Sequence, residues 1–420
     1  MFRIFTLLTG FLFLSNATTA QTRYTGQTIQ DILNQPENEI DLGLAVLVLA
    51  KEAYPSLNVN RFLDILDYQA RQVDYLLQGV EDPEARIGMM NTYLYKPGWW
   101  NDSLTFTYDI NDLEAKAKEN QFLNGLISTR RGSCVTLPML WMVLADRLGW
   151  PVHAVLSTKH FFLRYEDDRL EQKNIDATIW GSYASDDQYR IDGRIPDRAI
   201  ENGVFLRSLT RKEYLGALLV NQMRHYHERE QDLVKAIEYL ELAISINDTH
   251  SPAWWNAGVL YLEQARNLQK EWENEMQKAN DSVMAELVTA SIRSEQAKTL
   301  PRPEHRSTQS DSFIQVPDLE FTLPTTSGNP SFDIRPMTQN RVGMVIDNEL
   351  AAEFNEQIEA IAQQLKHKYT PIIMENLSKS RQYRQRATEL GISFGFTDEF
   401  LLKQQRSVEL QSINENEKRP

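Results

Sequence analysis

Arg130-Arg131-Gly132-Ser133-Cys134-Val135-Thr136-Leu137-Pro138-Met139-Leu140-Trp141-Met142-Val143-Leu144-Ala145 is the pivot of this 420-residue chain. A glycine and a serine lead its single cysteine into an unbroken apolar run. The run reads as a helix over residues 134–148, with Gly149 as a C-terminal cap. Beyond it, residues 151–156, 161–165 and 174–180 are short β-rich stretches, the first two separated by Ser157-Thr158-Lys159-His160. A helix followed by consecutive short strands is an α+β pattern with an antiparallel sheet.

Upstream, residues 27–127 read as helices. Residues 40–50 are apolar almost all round, which predicts burial on every side. Asp82-Pro83 opens a further helix, and Pro97-Gly98 interrupts the pattern. Downstream, Trp254, Ala257, Gly258 and Tyr261 are spaced by 3, 1 and 3 residues, and Ala236, Leu240, Ala243 and Asp248 take later positions of a preceding unit. These offsets are similar to about one and a half tetratricopeptide repeats. Residues 266–298 form one long polar helix in this reading. Leu350, Phe354, Ile358, Ile361 and Leu365 make an apolar stripe of barely two heptads, expected to pack within the chain, and Pro371 should kink or end that helix.

The expected divisions are a signal peptide at 1–20, the helical N-terminal part of a core at 21–127 and the core proper at 128–210. Tetratricopeptide-like helices follow at 211–298, then a Pro/Ser/Thr-rich linker at 299–343 and a helical C-terminal extension at 344–420. In residues 1–20 a basic start at Arg3 leads through an apolar segment into a small polar tail, the layout of a cleavable signal, which places the product in the periplasm or outside the cell. No later apolar run is long enough to span a bilayer. A formal charge of −14 disfavours nucleic acid and anionic membranes as partners. The 42% hydrophobic content allows a large core.

A lone cysteine in an exported chain is a free thiol, an intermolecular bridge or a catalytic group. A thiol nucleophile needs a base, and the base needs an orienting group. His160 follows Cys134 by 26 residues and Asp176 follows His160 by 16. A helix start presents backbone N–H groups and a positive dipole end to the sulfur, which favour thiolate and can form part of an oxyanion hole. Each residue also has a plainer role: Cys134 as core packing, His160 as a bonded strand end, and Asp192 as a rival to Asp176. Arg164 would either anchor a substrate carboxylate or face solvent. His225 and His227, two apart on a helix, fall on different faces, and no phosphate loop or dinucleotide fingerprint is present. Neither a metal nor a cofactor is therefore expected.

Ile40-Asp41-Leu42, Ala53-Tyr54-Pro55-Ser56-Leu57, Met90-Asn91-Thr92-Tyr93-Leu94-Tyr95, Leu126-Ile127-Ser128-Thr129-Arg130-Arg131-Gly132, Ala145-Asp146-Arg147-Leu148-Gly149-Trp150-Pro151-Val152 and His160-Phe161-Phe162-Leu163-Arg164 carry a further signal. Over roughly residues 30–265 the chain resembles the SirB-type branch of the transglutaminase-like superfamily, in which a papain-like core precedes a tetratricopeptide segment. The resemblance implies a Cys-His-Asp triad at Cys134, His160 and Asp176. It implies a cysteine-dependent amide or peptide hydrolase, or an acyltransferase, acting on a protein or peptide through a thioester. The competing class is a non-catalytic regulatory or scaffold protein that holds envelope partners through its core and repeat-like helices.

Overall fold

Ser133, not the residue that follows it, organises the start of the central helix. A computed structural model describes residues 23–298, 317–321, 332–336 and 348–392 of the chain. The proposed signal peptide lies outside the described residues, as does most of the proposed linker.

The chain forms two units, one through His225 and one over residues 226–392. The first opens with α1 (Ile29–Leu33), α2 (Leu42–Ala53), α3 (Val59–Leu77) and α4 (Pro83–Tyr95). Side-chain oxygens of Asp41, Asn58 and Asp82 accept from N–H groups in the first turns of α2, α3 and α4, and so set where each begins. α2 is buried from Leu42 through Ala50, as its all-round apolarity predicts. Next come β1 (Thr107–Tyr108), α5 (Leu123–Thr129), β2 (Arg131–Gly132) and α6 (Thr136–Arg147). β1 and β2 pair in parallel, Tyr108 in register with Gly132.

α6 is the centre of the unit. Leu137, Leu140, Trp141, Val143 and Leu144 are all buried, and Gly149 ends the helix in the left-handed region at φ +68°. Trp150 N–H returns to the Ala145 carbonyl at 2.9 Å, closing the cap. At its far end Arg147 meets Asp67 at 3.0 Å and Asp41 at 3.4 Å, tying α6 to α3 and α2.

β3 (Val152–Ser157), β4 (His160–Tyr165) and β5 (Asn174–Ile175) make an antiparallel sheet in the order β3-β4-β5. The third strand is shorter than the sequence pattern suggests. Asp176 ends it, because its carboxylate caps a 3-10 turn over Ala177–Ile179. α7 (Asp186–Asp192), α8 (Asp197–Glu201) and α9 (Arg211–Arg224) complete the unit. α9 packs on α2, where Gln222 Nε2 donates to the Leu49 carbonyl at 2.6 Å.

The second unit contains α10 (Leu233–Ile246) and α11 (Ser251–Lys298). It continues with the antiparallel pair β6 (Pro317–Phe321) and β7 (Phe332–Pro336), and with α12 (Asn348–Leu390). Where the repeat-like spacing suggests a short helix after α10, α11 instead runs unbroken for 48 residues, and no tetratricopeptide pattern is demonstrated among the described residues. No proline falls between Trp254 and Lys298, and helical residues fill the stretch. α12 likewise continues past Pro371 without ending there. Proline removes one backbone hydrogen bond, but Tyr369 and Ile373 on either side of it are buried against Ala265 and Trp272 of α11, which holds the helix together. Further along, Ala351, Phe354 and Ile358 pack on Met276, Val283 and Leu287, so the two helices run antiparallel and the apolar stripe is an intramolecular face.

The chain is thus mostly helical, with a small antiparallel sheet and long C-terminal helices. Among the described residues, no helix is long and apolar enough to cross a membrane.

Candidate functional site

The segment that carries Cys134 is held before the helix begins. Ser133 Oγ accepts from the N–H groups of Val135 (3.1 Å) and Thr136 (3.3 Å) and donates to the Asn120 carbonyl at 2.7 Å. In return Thr136 Oγ1 accepts from Ser133 N–H at 2.9 Å. This reciprocal arrangement fixes the turn that leads into α6, and Cys134 lies in that turn, two residues before the helix itself begins at Thr136. Gly132 is required by close approach: a Cβ there would lie 2.7 Å from both Leu126 Cδ1 and Thr136 Oγ1. The thiol itself is partly exposed.

His160 comes from the hairpin between β3 and β4. Ser157 pairs with His160 across a two-residue turn, and Lys159 in that turn adopts φ +54°. A left-handed conformation is costly for a residue with a side chain. Here it aims the Lys159 carbonyl at Cys134, whose Sγ donates to it at 3.5 Å.

Asp176 uses both carboxylate oxygens. Oδ2 accepts from His160 Nε2 at 3.0 Å and from Tyr189 Oη at 2.9 Å. Oδ1 accepts from Thr178 N–H at 3.0 Å and Thr178 Oγ1 at 2.7 Å. With Nε2 engaged by Asp176, His160 Nδ1 is the ring nitrogen left for the Cys134 side chain, with which the imidazole also interacts. The turn behind Asp176 is anchored to α6. Trp141 Nε1 donates to Asn91 Oδ1 (3.0 Å), and Asn91 Nδ2 donates to the Gly181 carbonyl (3.2 Å). Gly181 sits at φ +75° with Asn91 2.0 Å from where a Cβ would stand, so only glycine fits.

Burial alone would keep the imidazole neutral, but the Asp176 carboxylate and Cys134 outweigh it and hold His160 well above its ordinary value. For Asp176 burial opposes ionisation. The charge and hydrogen bond of His160 and the bonds from Thr178 prevail, and its pKa is lowered. Both groups are buried, at 4% exposure each.

The structure therefore brings Cys134, His160 and Asp176 together. Asp192 points elsewhere, accepting from Gln188 on its own helix. Arg164 neither faces solvent nor stands free for a ligand: it forks onto Asp186 at 2.7 and 2.8 Å and bonds Asn174 and the Leu206 carbonyl. His227 pairs with Glu263 at 2.9 Å, while His225 is buried. Among the described residues no group of three acidic, His or Cys side chains is placed to hold a metal.

Tyr189 is absent from the sequence reading. It stacks on Phe162 at 4.0 Å and on His160 at 5.8 Å while its hydroxyl reaches Asp176. Nothing local marks it, because α7 folds back over β4 from 29 residues downstream of His160. Thr178 had a local signal, a hydroxyl two residues past an Asp that caps a turn.

Residues 59–204 match the family described as the transglutaminase-like superfamily, and this stretch is a transglutaminase-like core domain. Similar curated proteins include the UPF0162 proteins of two Xylella fastidiosa strains, Temecula1 and 9a5c. Each is 24% identical over 135 residues, 31% of this chain. The chain spans 44% of the length of these relatives.

Proposed function

We propose that the transglutaminase-like core is a cysteine-dependent acyl-transfer site of an exported protein. Cys134 Sγ attacks an amide or ester carbonyl and forms a thioester. In the reactive ion pair the thiol proton already rests on His160, which delivers it to the leaving group, and Asp176 holds the imidazole in place. The observation that carries this reading is the bond from His160 Nε2 to Asp176 at 3.0 Å, which turns the other ring nitrogen to the only thiol of the chain. Water or an amine then resolves the thioester, giving hydrolysis of a peptide or transfer of its acyl group. The SirB-type assignment and the signal peptide belong to the same proposal.

A second reading has its own support. A regulatory or scaffold protein needs the fold without the chemistry, and the family match supports the fold alone. His160 is almost fully buried, and the thiol already has an acceptor in Lys159. The long helices of the second unit would then hold a protein partner.

Alkylation of the folded protein by iodoacetamide, followed from pH 5 to 10, separates the two. The acyl-transfer reading expects fast labelling near neutral pH, slowed about 10²-fold by His160→Ala as the base is lost. A thiol that labels only after unfolding, or at the same rate with and without His160, would install the scaffold reading instead.

A further inference from the structure

We infer that Tyr108 is a catalytic residue, donating its hydroxyl to the negative charge that develops on the substrate carbonyl oxygen when Cys134 attacks, alongside the Cys134 backbone N–H. This rests on the acyl-transfer reading above.

The placement comes from the backbone. Thr107 N–H donates to the Arg130 carbonyl at 3.0 Å and Asp109 N–H to the Gly132 carbonyl at 2.8 Å. Those two bonds lay β1 flush against the segment that delivers the thiol, with Tyr108 in register with Gly132, two residues before Cys134. β1 also packs against the Ala177–Ile179 turn that Asp176 caps. Tyr108 thus stands where the nucleophile segment and the carboxylate turn converge.

Three phenols surround this centre, and they differ in what they are free to do. The Tyr189 hydroxyl is committed to Asp176. Tyr95 is buried, at 9% exposure. Tyr108 is partly exposed, so a substrate can reach it. Its burial, then the nearby Cys134 and Asp176, raise its pKa and keep the hydroxyl protonated, as a donor to an oxyanion must be.

The step balances without an added reactant. The Sγ electron pair forms the S–C bond, and the carbonyl π pair moves to oxygen, where Tyr108 Oη and Cys134 N–H donate to it. When that pair returns, the C–O or C–N bond to the leaving group breaks and the thioester remains. The thiol proton, held meanwhile by His160, passes to an amine leaving group.

Two probes read the hydroxyl separately on the full chain. Acylation by p-nitrophenyl acetate builds an oxyanion, whereas alkylation by iodoacetamide displaces iodide at a saturated carbon and builds none. Tyr108→Phe is expected to slow the p-nitrophenolate burst about 10²-fold, the cost of one oxyanion donor. Alkylation, which also reports that the fold and the Cys134–His160 pair are intact, should change by less than about twofold. An unchanged burst, or an equal fall in both rates, would overturn the role of Tyr108 while leaving the acyl-transfer reading in place. A wild-type protein that alkylates but never acylates would overturn both.

Discussion

The thiol-bearing unit and the helical unit bury polar groups in different ways. Around Asp176 the buried polar side chains bond to one another. His160, Tyr189 and Thr178 all place a side-chain donor on its carboxylate. Between α11 and α12 the contact is a stripe of apolar side chains, and the buried polar ones serve the backbone. Ser380 Oγ donates to the Gly258 carbonyl at 2.6 Å, and Asn376 to the Ile372 carbonyl at 2.9 Å. A side-chain network in a dry site is costly to leave incomplete, whereas an apolar stripe loses stability a little at a time. The first arrangement fixes atoms in particular positions. The second only holds two helices together.

Asp176→Ala tests this contrast hardest, since it strands a buried cationic imidazole and the Tyr189 hydroxyl together. It should destabilise the first unit by about 3–5 kcal/mol in denaturant unfolding. The loss depends on pH. The folded pKa of His160 is raised from 6.5 to about 10, so its contribution is complete below 6.5 and disappears as pH rises through about 10. The pKa of Asp176 is lowered from 3.8, so its contribution is present above that value and is lost as pH falls. The gap between wild type and Asp176→Ala should therefore be wide at pH 6 and smaller at pH 10. A gap independent of pH would mean that the two side chains are not an ion pair.

Ile373→Ala removes a fully buried side chain from the stripe beside Pro371. It should cost about 3 kcal/mol and strip hydrogen-exchange protection from the amides of α11 and α12. An equal loss of protection in β3 and β4 would break the comparison, because the two regions would then unfold as one. Lys368→Ala removes an exposed ion pair with Glu275, 2.9 Å away on the same helix pair. The unfolding midpoint should not move, since exposed pairs contribute little. A clear drop would show that the helix pair, too, relies on specific polar contacts.

Much of the fold was legible because its signals are local. The all-round apolarity of residues 40–50 marks a buried helix, Gly149 marks the end of α6, and the β-rich runs mark β3 and β4. The helix lengths in the second unit were not legible. A proline at 371 and a repeat-like spacing near Trp254 are weak local cues, and burial along the α11–α12 contact overrides them. At the site, the order of Cys134, His160 and Asp176 could be read from the chain. The partner of His160 could not be told from Asp192 by spacing, and Tyr189 and Tyr108 left no local trace.

By itself, then, the sequence determined where the helices and strands of the core begin, and which thiol and imidazole are available, because caps, turns and periodicity act between residues a few positions apart. Tertiary structure alone decided which carboxylate meets His160 and which phenol covers it. Those neighbours come from separate elements, and only the packing of α7 and the Asp176 turn against β4 brings them within hydrogen-bonding distance.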